Sequence, residues 1–194
     1  MKLVTCNEEG LAAAAEVLLA GGVAVIPTDT VYGLAAHPGF AEAVDRLYTI
    51  KGREAKKPIA LLASDADALA RFGYPLVGEA RRLATLWPGA LTLVIEPTLQ
   101  PSDPPPRPAE GFRIPDHEWT RRLLAKCGGL LRVTSANLSG QRPATDAPQA
   151  LADVGLSADL VVDDGISPGG VPSTVVRVRA DGTHEILRAG ALKV

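Results

Sequence analysis

Two short polar pairs, Lys51 with Arg53 in KGR and Ser135 with Asn137 in SAN, have the types and spacing to hold an anion. Residues two apart on an extended segment point the same way. Lys51 and Arg53 would then offer two cations side by side, and Ser135 and Asn137 a hydroxyl and an amide that both donate and accept. Lys51, Arg53, Lys56 and Lys57 fall within seven residues, opposed only by Glu54. Four cations less one carboxylate give a local charge of +3, in a chain whose formal net charge is −2. A row of polar groups, Thr28, Asp29, Thr30 and Tyr32, follows the apolar run Val23–Ile26. Ligands of open α/β sheets sit at such strand ends. Ser173 follows a Gly169-Gly170 pair, and Arg188 stands near the end of the chain. Each item alone has a plainer explanation: a solvated basic loop for KGR, a turn for SAN, a surface cation for Arg188. Together they suggest a site for a small anionic ligand without naming a reaction.

What is missing narrows the chemistry. There is no GxxxxGK[ST] phosphate loop, no GxGxxG after a strand and no GxSxG elbow. An ATP-using enzyme of this sequence must therefore hold phosphates mainly with side chains. Cys6 and Cys127 lie far apart in no metal-ligand spacing, and His37, His117 and His184 are scattered, so a metal site has no support. The cysteines are expected as reduced, buried thiols of a cytoplasmic protein. The near-neutral charge argues against a dedicated nucleic-acid binder. The start, MKLVTCNEEG, has no apolar leader core, and no apolar run is long enough for a membrane span.

The elements that must position these residues alternate between the two classes. With 194 residues, 46% hydrophobic and only 4% aromatic, the core must come from Leu, Val, Ile and Ala. Asn7 caps a helix with Leu11, Ala14, Ala15, Leu18 and Leu19 on one face, stopped by Gly21-Gly22. A doubly buried strand follows at Val23–Ile26, then a short extended piece at Tyr32–Ala36. A helix over Phe40–Ile50 buries Phe40, Val44, Leu47 and Tyr48; a strand is expected at Ile59–Ala63. Helices run from Ser64 to near Gly73 and from Leu76 to Trp87, and strands cover Leu91–Ile95 and Glu110–Ile114. Between them, residues 97–108 carry six prolines and read as an extended loop, either a tolerated insertion or a wall beside a ligand. Asp116 caps a helix that buries Trp119, Leu123, Leu124 and Cys127. Strands at Leu130–Val133, Leu160–Val162, Ser173–Val178 and Glu185–Leu187, with a helix at Ala147–Val154, complete the chain. The economical reading is one α/β domain over residues 1–194, a twisted mixed open sheet flanked by helices with a concave cleft.

In chain order, PTDTVYGLA, KGREAKKP, WPGALTLV, GFRIP, TSANLSG, GVPSTVV and ILRAG closely resemble the threonylcarbamoyl-AMP synthase family, the YrdC-like enzymes. The resemblance runs from about Gly21 to Gly190, and its signature is the K-x-R and S-x-N pair. It implies formation of threonylcarbamoyl-AMP and pyrophosphate from L-threonine, bicarbonate and ATP. That product serves the N6-threonylcarbamoyl modification of adenosine 37 in tRNA, through a tRNA threonylcarbamoyl transferase complex.

By that resemblance Lys51 and Arg53 are the catalytic pair. Thr28, Tyr32, Arg113 and Ser173 are threonine contacts, and a guanidinium fork suits threonine's carboxylate. Lys51, Arg53, Lys57, Ser135, Asn137, Thr145 and Arg188 fall on the ATP side. Magnesium is expected with ATP, with no protein ligand assigned. Both Lys51 and Arg53 are expected to be solvent-accessible before ATP binds. Two departures stand out: Glu54 replaces a common proline beside the phosphates, and Ala109 lacks a hydroxyl frequent in the family. Ending at Val194, the chain resembles the short form, without an extra C-terminal domain. The rival readings are an RNA-binding module, or a paralogue acting on another carbamoyl or adenylyl substrate. Weak RNA binding remains compatible with the first reading, and no membrane partner is expected.

Overall fold

Unbroken apolar runs become the centre of a sheet. β2 (Val23–Ile26) and β3 (Gly33–Ala36) are buried at every residue, as strands covered on both faces must be. The computed structural model describes residues 1–54, 57–96 and 108–194. Lys56 of the basic cluster and all of the proline-rich loop except Pro108 lie outside the described residues.

The other strands are β1 (Lys2–Thr5), β4 (Leu61–Ala63), β5 (Leu91–Ile95), β6 (Glu110–Arg113) and β7 (Leu130–Ser135), then β8 (Leu160–Asp163), β9 (Thr174–Val178) and β10 (His184–Arg188). They form one mixed ten-stranded sheet in the order β1-β8-β2-β3-β7-β4-β6-β5-β9-β10. The helices are α1 (Glu8–Leu19), α2 (Ala41–Lys51), α3 (Ala66–Arg71), α4 (Gly78–Leu83), α5 (Glu118–Lys126) and α6 (Ala147–Asp153). The expected single α/β domain with a mixed sheet is what the chain forms.

Residues paired across neighbouring strands share a face of the sheet. On one face Val23, Val25, Leu34, Ala36 and Val161 pack under α2 and α6. Further along that face, Leu61, Leu93, Phe112 and Val176 pack under α3 and α4. On the opposite face Ala24, Ile26, Ala35, Leu131 and Val162 pack against α1 and α5. Past Leu62 this second face continues as Val133, Gly111, Val94 and Val175, and there it lines a cavity instead of meeting a helix.

Several local expectations shift. β1 goes unforeseen because its four residues sit on the sheet edge and are mostly exposed, which leaves no burial pattern to read. Asp65, not Ser64, caps α3 by accepting from the Ala68 amide, although Ser64 donates to Asp65. His117, not Asp116, caps α5 through its ring nitrogen. Phe40 is the N-cap residue of α2 and is 38% exposed, not buried with Leu47; its ring lies over Gly21, where a Cβ would come within 3.1 Å of it. The Leu76–Trp87 helix shortens to α4 followed by a 3-10 turn at Ala84–Leu86. Cys127 is buried and Cys6 half-buried, and both are free.

One ion pair ties β7 to β6 across β4. Arg132 donates to both oxygens of Glu110, at 2.7 and 2.6 Å, and to the Ile59 carbonyl at 2.7 Å. Removing one partner of a buried pair strands the other charge, whereas replacing both with apolar groups is often neutral. Arg132→Leu should therefore lower unfolding stability in urea by roughly 3 kcal/mol, and Arg132→Leu with Glu110→Leu should recover most of that loss.

Candidate active site

The bare stretch of sheet is the floor of a cavity of about 650 Å³. The loop after β2 supplies one wall through Thr28, Thr30 and Tyr32, and Ser173 and Arg188 supply the other. Arg53 and Lys57 stand over it, and Ser135 closes it at the end of β7. Small residues keep the floor low. A Cβ on Gly33 would come within 2.5 Å of Val133, so glycine is required where β3 crosses β7.

The K-x-R pair is not a pair of neighbours on an extended strand. Lys51 is the last residue of α2, and Gly52 terminates the helix in the left-handed conformation, φ 58°. That turn separates the two side chains. Arg53 goes to the cavity and donates to the Lys57 and Pro58 carbonyls, both at 3.1 Å. Lys51 goes inward and is 3% exposed, so the expected accessibility of both cations is wrong for Lys51. Its ammonium donates to the Asn137 carbonyl at 2.7 Å, to Asn137 Oδ1 at 3.2 Å and to the Ser135 carbonyl. The Ser139 amide in turn donates to the Lys51 carbonyl at 2.8 Å. Burial, then the nearby Arg53 charge, pushes the Lys51 ammonium down to about 8.

Asn137 is likewise internal. Its side-chain amide donates to the Leu138 and Gln141 carbonyls, at 2.8 and 2.9 Å, while its oxygen takes Lys51. Lys51 and Asn137 therefore stand behind the cavity wall and fix the strand end that exposes Ser135 to it. Thr145 also lies outside the lining; its hydroxyl faces Gln149, and its carbonyl accepts from Ser167 at 2.7 Å. Of the residues expected on the ATP side, the structure gathers Arg53, Lys57, Ser135 and Arg188 around the cavity. Glu54 is exposed and pairs with Lys57 at 3.5 Å, and Ala109 contributes only a methyl to the lining.

All four residues expected on the threonine side line the cavity. All four already have internal partners. Thr28 donates to the Val31 carbonyl at 2.7 Å and accepts from the Thr30 and Val31 amides, which closes the loop after Pro27. Tyr32 donates to the Gly165 carbonyl at 2.8 Å and accepts from the Asp164 amide; burial pushes its phenol up to about 12. Arg113 is 6% exposed and donates to the Gly89 carbonyl, to Thr30 Oγ1 and to Asp29 Oδ1, at 2.9, 2.8 and 2.5 Å. Ser173 Oγ lies 2.8 Å from Thr92 Oγ1, and Arg188 donates to the Ser173 carbonyl at 2.7 Å.

Sequence reasoning left Thr30, Thr92 and Glu110 without a role, although all three line the cavity. Thr30 and Asp29 were visible in the polar row after β2, but their partner Arg113 lies 83 and 84 residues away. Thr92 is hidden inside an apolar strand, where only the alternation of LTLVI hints at a second face. The result is a cleft with cations above, hydroxyls along both walls and an apolar floor. It contains neither cysteine nor histidine among its described lining residues. Such a site can bind and align anions.

Comparison with known proteins follows the same line. The model of the Sua5/yciO/yrdC family, described as telomere recombination, matches residues 16–190. Threonylcarbamoyl-AMP synthase of Bos taurus is 37% identical over 190 residues, covering 94% of this chain and 68% of the bovine protein. Threonylcarbamoyl-AMP synthase of Bacillus subtilis is 33% identical, covering 97% of this chain and 56% of that protein. The structure of P. abyssi Sua5 complexed with L-threonine superposes with a TM-score of 0.86 at 28% identity, over 98% of this chain and 58% of that one. The chain thus spans between about half and two thirds of the length of these relatives. With the family model matched over residues 16–190 and the fold shared with P. abyssi Sua5, this chain belongs to the Sua5/yciO/yrdC family.

Proposed function

We propose that this chain is an L-threonylcarbamoyladenylate synthase, making threonylcarbamoyl-AMP and pyrophosphate from L-threonine, bicarbonate and ATP. The observation that carries the reading is one cleft lined by Arg113, Arg53, Lys57 and Arg188, with Arg188 close enough to both Arg113 and Arg53 for their charges to oppose. Relatives named threonylcarbamoyl-AMP synthase and a relative's complex with L-threonine support it.

The chemistry suits such a site. Threonine's amine attacks the carbon of bicarbonate; a C–N bond forms and a C–O bond breaks as water leaves, giving a carbamate. A carbamate oxygen then attacks the α-phosphorus, a P–O bond forms, and the bond to the β-phosphate oxygen breaks as pyrophosphate leaves. Several anions must converge, so the protein's task is alignment and charge neutralisation. Arg113 takes threonine's carboxylate through the N–H groups it has not committed to Gly89, Thr30 and Asp29. Thr28 and Tyr32 shape the threonine end through their loop contacts, and Ser173 turns a hydroxyl toward it. Arg53, Lys57 and Arg188 face the phosphates, and Ser135 offers a hydroxyl at the strand end. Lys51 acts through Ser135 and Asn137, with Thr145 on the adjoining loop.

Magnesium enters in this reading as part of the ATP substrate. Among the described residues no group of three or more His, Cys, Asp or Glu could hold it, and the lining carboxylate Glu110 is committed to Arg132. Among the described residues no helix is long and apolar enough to cross a membrane. The reading places the enzyme in the cytoplasm, handing its product to a tRNA threonylcarbamoyl transferase complex.

Purified protein given ATP, L-threonine and bicarbonate should release pyrophosphate, and omission of threonine or bicarbonate should abolish the release. Release indifferent to threonine would remove the threonine assignment. Arg53→Ala should lower kcat/KM for ATP by about a hundredfold, the scale of a charge-assisted contact to a phosphate, with no change in melting temperature.

Lys51 adds a pH signature. Its ammonium is charged below about 8 and lost above it, whereas an unfolded lysine holds its proton to about 10.5. Between those values the unfolded chain binds the extra proton, so this group's contribution to stability rises with pH. Its grip on the Ser135 and Asn137 carbonyls weakens over the same interval. The ratio of wild-type to Lys51→Met turnover should therefore fall above pH 8; a ratio constant from pH 7 to 9.5 would count against the tie.

A further inference from the structure

Among the described cations that line the cavity, Arg113 alone is paired with a buried carboxylate. Asp29 Oδ1 lies 2.5 Å from its terminal nitrogen, and the two side chains are 7% and 11% exposed. Among the described residues, the ion-pair partner of Lys57 is the exposed Glu54. Arg53 and Arg188 donate to backbone carbonyls and a hydroxyl, neutral acceptors that leave the guanidinium charge uncancelled. Asp29 itself does not line the cavity. The chain holds it firmly: Gly169 donates to the Asp29 carbonyl at 3.1 Å, and a Cβ at Gly169 would come within 2.6 Å of that oxygen.

The surroundings say what this pairing prevents. Arg188 is close enough for its charge to oppose that of Arg113, and the Ser173 hydroxyl accepts from Arg188. Two unneutralised guanidiniums beside a hydroxyl form a good site for a phosphate dianion. With ATP consumed and pyrophosphate released in the same cleft, such a site would invite phosphates into the amino-acid end. A buried carboxylate cancels much of Arg113's charge and turns its remaining N–H groups in one direction, toward a single monoanionic carboxylate.

We propose that Asp29 is a positioning and specificity-determining residue, which reserves Arg113 for the amino acid's carboxylate and keeps phosphate anions out of that end of the cavity. The inference rests on the proposed binding of threonine's carboxylate at Arg113. It makes the polar pair of the TDT segment two halves of one device: Thr30 Oγ1 orients one terminal nitrogen of Arg113, and Asp29 orients and neutralises the other.

The test uses the isosteric Asp29→Asn, with formation of threonylcarbamoyl-AMP followed by radiolabelled threonine. Asp29→Asn should raise KM for L-threonine about tenfold while kcat and KM for ATP stay within about twofold. Inorganic phosphate, as probe, should inhibit the variant competitively with threonine roughly tenfold more tightly than wild type. Asp29→Glu keeps the charge and should keep the wild-type response to phosphate; it is the variant to read should Asp29→Asn fold poorly. Unchanged threonine KM and phosphate inhibition would overturn the proposal. A joint rise of both KM values with a fall in kcat would also overturn it, since that marks general disruption. Arg113→Ala separates this from the parent reading: if it leaves threonine KM unaltered, the carboxylate assignment itself fails.

Discussion

Among the described residues, helices cover one face of the sheet and only part of the other, and the part left over is where the site lies. Apolar strands pack where helices lie over them. α2, α6, α3 and α4 cover one face along the sheet, whereas α1 and α5 reach only part of the other. The remaining strip must then carry side chains that tolerate solvent or a ligand. It does so with Thr92, Arg113 and Ser135 at strand positions that would elsewhere be leucine or valine. The cavity is therefore a consequence of coverage, and its polar residues sit where a missing helix would have demanded apolar ones.

Around that floor the buried charges are arranged to keep backbone in place. Lys51 joins the end of α2 to the end of β7 through carbonyl acceptors, so the two signature motifs are mechanically one unit. Arg132 and Glu110 brace the strand beside the cavity, and Asp29 and Thr30 hold Arg113. Buried charges need compensating partners: Arg132 and Arg113 each meet a carboxylate, and Lys51 is hydrogen-bonded to carbonyl and amide oxygens. The half-buried Arg53 and the exposed Lys57 are left over for a ligand.

Much of the fold was legible because burial follows local pattern. Val23–Ile26 and the α1 stripe of Leu11, Ala14, Ala15 and Leu18 are read directly from apolar spacing, whereas Leu19, expected on the same face, is exposed at the last residue of the helix. The misses have local causes: edge strand β1 has no buried face to betray it, and the caps of α3 and α5 shifted by one residue between adjacent candidates. The site was legible as a set of motifs and not as a geometry. Spacing within KGR suggested two parallel cations, but Gly52 in a left-handed turn sends Lys51 inward and Arg53 outward. Nor can any local pattern pair Asp29 with Arg113, since the contact depends on which strands end side by side.

The central claim is that one cleft aligns threonine at Arg113 with a triphosphate at Arg53 and Arg188. A crystal structure of the protein with L-threonine and a non-hydrolysable ATP analogue tests it most directly. The account predicts threonine's carboxylate on the Arg113 guanidinium, the phosphates against Arg53 and Arg188, and the threonine amine facing the α-phosphate across the Gly33–Val133 floor. Phosphates seated on Arg113, or either ligand bound outside this cavity, would contradict it.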